Sequence, residues 1–196
     1  MPPREKRQRI DASENRIAIL TAAKSALEES ANVSLNAIAK RAGVANATLY
    51  RHFPTRESLV LEVYLHEVRQ VAEAGDALLL RRPPADALRE WVERLAQYAM
   101  TKHGLAEALL SASGSDSPHF DDTYVLIVGA LARLLAAAEA AGDVRSGLDA
   151  SDVILALAGL WQIDPATDWQ TRARRLYEIV FDGLRPSSHS DLPRGS

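Results

Sequence analysis

Cysteine is absent from the 196 residues. Disulfides and thiol chemistry are therefore excluded, and a reducing cytoplasm suits the chain. Glycine-rich phosphate loops, the nucleophile elbow of hydrolases and His pairs at metal-binding spacing are missing too. The five histidines, His52, His66, His103, His119 and His189, are scattered. A metal site drawn together from His103, His119 and Asp121 would need a geometry that spacing does not supply. The expectation is a protein that is not an enzyme and uses no cofactor and no metal. Uninterrupted apolar runs of membrane length are also lacking. Val125 to Ala141 comes closest, but Arg133 and Glu139 interrupt it. The first residues are charged and no apolar segment follows, so no signal peptide is expected. A cytoplasmic location without a membrane partner follows as an expectation.

Positive charge is scarce in most of the chain and concentrated at its start. The net charge is -3, which argues against a general nucleic-acid coater. Met1 to Arg56 nevertheless holds 10 Lys and Arg against 5 Asp and Glu, which leaves 13 against 21 for the remainder. A basic head on an acidic body suits a protein that presents one end to DNA. Hydrophobic residues make up 47%, enough for one small and one medium domain with a sizeable core.

The basic head contains the most informative stretch, Ser34 to Phe53. Leu35, Ile38, Ala39 and Ala42 follow the spacing of one helix face. Gly43 comes next, and glycine accepts the left-handed conformation that ends a helix and turns the chain. Val44 fills the angle, and a second helix is expected to begin near Ala45 or Asn46, with Asn46 as its cap. Leu49 and Phe53 face inward. This pattern meets the demands of a helix-turn-helix, whose second helix enters the major groove. The outward residues of that helix are Asn46, Ala47, Thr48, Tyr50, Arg51 and His52. Arg can fork onto guanine, Asn onto adenine, and Ala or Thr can touch a thymine methyl. Thr48, Tyr50 and His52 can equally reach phosphates.

Val44 to Leu59, with its run Thr48-Leu49-Tyr50-Arg51-His52-Phe53 followed by Arg56, Glu57 and Leu59, resembles the signature of the TetR (tetracycline repressor) family of transcriptional regulators. The resemblance covers roughly the N-terminal quarter. It departs from the family at Ala45, where many members carry a Ser cap, and at Arg56, where Lys is usual. It implies phosphate contacts for Ser34 and a similar place for Arg56. The basic arm from Met1 to Arg9 is expected to be disordered in the free protein; the resemblance implies that it reaches into the minor groove, and a solubilising tail is the alternative reading.

Along the chain, helices are expected at Ser13 to Glu29, with Ile17, Leu20, Ala23 and Leu27 buried, and at Arg56 to about Ala74, with Thr55 as cap. Further helices are expected at Ala85 to Thr101, Leu105 to Leu110, about Phe120 to Ala141, Val153 to Leu160 and Asp168 to Leu184. Lys102-His103-Gly104 interrupts, Ser111 to Pro118 reads as a flexible loop, and Pro165 breaks the chain. The fold class is thus all-α with about nine helices. Residues 1–55 read as the DNA-binding head, 56–186 as a regulatory and dimerisation domain, and 187–196 as a disordered tail that resembles part of a protease-cleavage tag.

Trp91, Tyr98, Met100, His103, Phe120, Tyr124 and Trp161 are the candidates to line a ligand pocket, with Trp161 and Tyr124 foremost. Ile154, Leu157, Leu176, Ile179 and Val180 are the candidates for a homodimer interface. A dimer of such heads would set its recognition helices roughly 34–36 Å apart and read an inverted repeat in double-stranded DNA. The resemblance implies a small-molecule effector that alters this spacing and releases a repressor. An activator, a ligand-independent regulator, and an all-α binder or enzyme without specific DNA binding remain the alternatives.

Overall fold

The computed structural model describes residues 4–30, 32–112 and 119–186, with side chains described for 13–30, 32–100 and 123–186. Eight α-helices make up the described chain: α1 (Arg4–Glu29), α2 (Leu35–Ala42), α3 (Asn46–His52), α4 (Arg56–Leu79), α5 (Pro84–Ala112), α6 (His119–Ala140), α7 (Ala150–Leu157) and α8 (Trp169–Leu184). A 3₁₀ turn, Ala158–Gln162, follows α7 directly, and no strand occurs among the described residues. The all-α expectation holds. The loop expected at Ser111 to Pro118 lies largely outside the described residues, as do residues 1–3 of the basic arm and the tail from 187.

The chain divides into two compact units, residues 1–69 with 100–123 and residues 70–99 with 124–196. Both divisions of α4 and α5, and that of α6, fall inside helices. In the first unit, α1 buries Ile19, Leu20, Ala23, Ala26 and Leu27, while Ile17 is half exposed. The helix starts at Arg4 and not at Ser13, so Ser13 is no cap. Ser34 caps α2 as expected, its hydroxyl accepting from the Ala37 amide at 3.2 Å. Gly43 closes α2 at φ 69°. The Gly43 amide donates to the Lys40 carbonyl and that of Val44 to the Ala39 carbonyl, which satisfies carbonyls that a helix end leaves open. Leu49 of α3, Phe53 just beyond it, and Leu59, Val60, Val63 and Tyr64 of α4 complete this core. The buried Tyr64 and Thr123 hydroxyls lie 3.0 Å apart.

The second unit is built around Trp91, fully buried on α5, whose indole N–H donates to the Val71 carbonyl at 2.8 Å. A Cβ on Gly75 would stand 3.5 Å from Leu134 and 3.6 Å from Trp91. Ile127, Ala130, Leu131, Leu134, Leu135 and Ala138 are the buried positions of α6. Thr123–Ala140 of this helix, mean hydropathy 1.6, is long and apolar enough to cross a membrane by length and composition, and the core helix of a globular domain passes the same test.

Two local expectations are corrected. Lys102-His103-Gly104 does not interrupt, and α5 runs unbroken to Ala112. One interior glycine costs a helix about 1 kcal/mol, which the rest of a long helix outweighs. The helix expected from Val153 begins at Ala150, because the Asp149 carboxylate accepts from the Ser151 amide at 2.7 Å and caps it there. In α8 the buried stripe is Ala173, Tyr177, Phe181 and Leu184. Ile179 faces outward at 69% exposure, and Leu176 and Val180 are half-buried.

Candidate nucleic-acid interface

Seven residues form α3, and one of them, Leu49, is buried. A helix this short cannot fix its own direction, so its flanks matter. Ala45 occupies the cap position and offers no side-chain hydrogen bond. Asn46 is the first helical residue and not the cap expected from sequence. The Thr48 and Leu49 amides close onto the Ala45 carbonyl at 2.9 and 3.2 Å. At the other end the Phe53 amide donates to the Leu49 carbonyl at 2.8 Å, and the Phe53 ring is buried.

This seating turns Asn46, Ala47, Tyr50 and Arg51 to the outside and leaves Thr48 half-buried. Ser34 is exposed at the start of α2, and Arg56 is half-buried at the start of α4. The start of α4 is capped twice over. The Thr55 hydroxyl accepts from the Ser58 amide at 3.1 Å, and the Ser58 hydroxyl accepts from the Thr55 amide at 3.3 Å. The backbone at Glu57 and the Thr55 hydroxyl hold the Glu57 carboxyl below its ordinary range.

His52 differs from its neighbours. Its Nε2 is buried without a hydrogen-bond partner. Burial, then the positive charges of Arg51 and Arg16, push the imidazole below its ordinary value.

Arg16 and Glu62 were not picked out from the sequence, yet both border this helix. The Arg16 guanidinium bonds Glu62 at 2.5 Å and lies 5.1 Å from the centre of the Phe53 ring. Arg41 grips Glu29 through both carboxylate oxygens, at 2.8 and 2.5 Å, which ties α2 to α1. No sequence signal marks pairs so far apart in the chain.

Of the pocket candidates, Trp91 is engaged in the core of its unit, Tyr98 and Met100 are buried, and Tyr124 is 49% exposed. Trp161 is half-buried. The side chains of His103 and Phe120 lie outside the described residues. A cleft of ≈ 250 Å³ in the second unit is lined by Arg145, Asp149, Asp152, Val153, Val180 and Leu184, among others, and by none of the seven. No group of three or more His, Cys, Asp or Glu side chains that could hold a metal occurs among the described residues.

Of the interface candidates, Ile154 and Leu157 are buried within the protomer, and Ile179 stands out into solvent. Leu155, 71% exposed, was overlooked. The Val153 to Leu157 run is apolar on every side, and Leu155 and Ala156 of it are exposed.

Comparison with known proteins agrees with this anatomy. Residues 19–63 match the bacterial regulatory proteins of the tetR family. Residues 83–186 match the C-terminal domain of SbtR-like transcriptional regulators. The HTH-type transcriptional regulator AqdR of Rhodococcus erythropolis is 26% identical over 136 residues, 67% of this chain, and the chain spans 64% of that relative's length. The solved TetR transcriptional regulator SCO0520 from Streptomyces coelicolor is 41% identical, with a TM-score of 0.81 over 88% of this chain and 99% of its own. A TetR transcription regulatory protein from Mycobacterium vanbaalenii is 30% identical, with a TM-score of 0.72 over 91% and 99%. With head and body both matched, the chain belongs to the TetR family of DNA-binding transcriptional regulators and is not an enzyme.

Proposed function

We propose that the protein is a homodimeric, cytoplasmic repressor that binds an inverted-repeat operator and leaves it when a small molecule occupies the helical body. The observation that carries this reading is the outward face of α3. Asn46, Ala47, Tyr50 and Arg51 are exposed together on a helix whose opposite side is anchored by Leu49. Such a face combines base-reading and phosphate-reaching groups. Ser34, Thr48, His52 and Arg56 flank it and complete the proposed contact set.

Dimerisation is supported by α7 and α8. Leu155 and Ile179 expose more than two thirds of their surface, and Leu176 and Val180 are half-buried. Exposed apolar side chains on these two helices favour burial against a second copy. The small molecule acts only through a difference in affinity between the bound and released forms. The ligand site is proposed to draw on the buried aromatic residues of α5 and on Trp161.

Fluorescence anisotropy tests the reading directly. The full-length protein is titrated against the DNA upstream of its own gene and against a shuffled duplex at one fixed salt concentration. A preference of at least ~10³ is expected, the low end for specific recognition. Equal, salt-sensitive binding to both duplexes would count against operator recognition. Reporter output should rise on deletion of the gene, and a fall would make the protein an activator.

A further inference from the structure

We infer that Arg16 is a positioning residue for the recognition helix, setting the direction of α3 from outside the helix-turn-helix. The inference rests on the DNA-binding reading of α3. A single guanidinium from α1 meets both the residue that ends α3 and the helix that follows. Its carbon lies 5.1 Å from the centre of the Phe53 ring, and its Nη2 bonds the Glu62 carboxylate. Glu62 is also 4.0 Å from Arg69, so α4 supplies a carboxylate held between two cations.

The geometry matters because α3 has so little else. It buries one of its own side chains and lacks a side-chain cap at its first turn. Phe53 is 1% exposed and is the anchor at its far end. The guanidinium bears on that ring, so a shift of Arg16 moves the end of α3, and Tyr50 and Arg51 move with it. Arginine suits the task through its planar fork, which pairs with a carboxylate and stacks on an aromatic face at once. Lysine would keep the charge but, without a planar fork, could not pair with the carboxylate and stack on the ring in the same geometry.

The competing role for a cation beside a recognition helix is direct contact with a DNA phosphate, and four variants separate the two. Full-length Arg16→Met, Arg16→Lys, Glu62→Gln and Arg51→Ala are titrated against a duplex that the wild-type protein recovers from a random-sequence pool, across a salt series. A positioning role predicts about tenfold weaker binding for Arg16→Met and Glu62→Gln, the scale of one misplaced base contact. The dependence of log K on log salt keeps its wild-type slope, and Lys fails to restore affinity. A slope reduced by about one in Arg16→Met, rescue by Lys, or tighter binding by Glu62→Gln overturns the inference in favour of a phosphate contact. Unchanged affinity in Glu62→Gln also overturns it, and this milder variant decides the matter if Arg16→Met fails to fold by circular dichroism. Arg51→Ala is the control for the underlying reading. If it too binds as wild type, the proposed α3 face is what has failed.

Discussion

The helix assigned to DNA and the helix at the end of the body are held by the same three residue types in unlike circumstances. In the first unit Arg16 lies over Phe53 and bonds Glu62. In the second, Arg89 of α5 lies 4.4 Å from the centre of the Phe181 ring and bonds Glu178 of α8 at 2.6 Å. The Tyr177 hydroxyl adds a bond to Glu93 at 3.1 Å. The two helices differ in how much they need the help. α8 has 16 residues, four of them buried, and the Asp168 side chain caps it. α3 has seven residues, one buried and none capping. A half-exposed cation contact contributes on the order of 0.5–1 kcal/mol, below what a single buried side chain supplies but a larger share of the total where one is buried than where four are. The same device is a minor supplement in the body and a proportionally greater one in the head.

Removing the rings is the strongest way to probe this contrast. Phe53→Ala and Phe181→Ala should each cost about 3–5 kcal/mol in urea unfolding, Phe53 the more of the two because its ring is the more deeply buried. Equal losses would mean that α8 leans on its ring as heavily as α3 does. Next in size are the caps. Ser34→Ala and Thr55→Ala should each cost about 1 kcal/mol, and both belong to the head. Arg89→Met should follow at or below about 1 kcal/mol, with its circular dichroism and its mass in solution unchanged. A changed mass in solution would show that the body depends on its clamp. Gly75→Ala should run the other way and gain up to about 1 kcal/mol. The added Cβ meets Leu134 and Trp91 at ordinary contact distance, and the helix loses an interior glycine.

The smallest effect is in pH, and it has opposite signs in the two units. His52 holds its proton less readily when folded than its ordinary 6.5. The unfolded chain therefore binds more protons as pH falls below 6.5, and stability is lost in that direction until the folded imidazole protonates. Tyr177 is raised above 10.0 by burial and by Glu93. The unfolded phenol ionises first there, so stability is lost as pH rises through 10.0. Titrating stability in His52→Gln and Tyr177→Phe should flatten the acid and the alkaline limb respectively. An acid limb that survives in His52→Gln assigns it to other groups.

What could be read in the sequence was local. Ser34 as a cap, Gly43 as a left-handed turn, Leu49 facing inward and the last helix to Leu184 all depend on residues within a few positions of one another. Gly104 misled because a glycine signals a break only where the helix on either side is weak. Ser13 misled because a capping residue can equally sit inside a longer helix. In α7, apolar residues on every side hid which ones face the protomer's own core. The Arg16–Glu62 and Arg89–Glu178 pairs are separated by 46 and 89 positions, and no periodicity reports partners at that distance. The unpartnered nitrogen of His52 depends on the same long-range packing.

The division of the chain inside α4, α5 and α6 bears on how regulators of this kind can exchange parts. A single crossover after residue 55 would carry the recognition helix and Arg16 into a new chain and leave Glu62 behind. It would also leave residues 100–123, which belong to the same unit. A hybrid made that way inherits the proposed operator-reading surface without the carboxylate that Arg16 holds. Exchange that keeps this pair must move residues 56–69 as well, or draw on a parent that supplies the same carboxylate on its fourth helix.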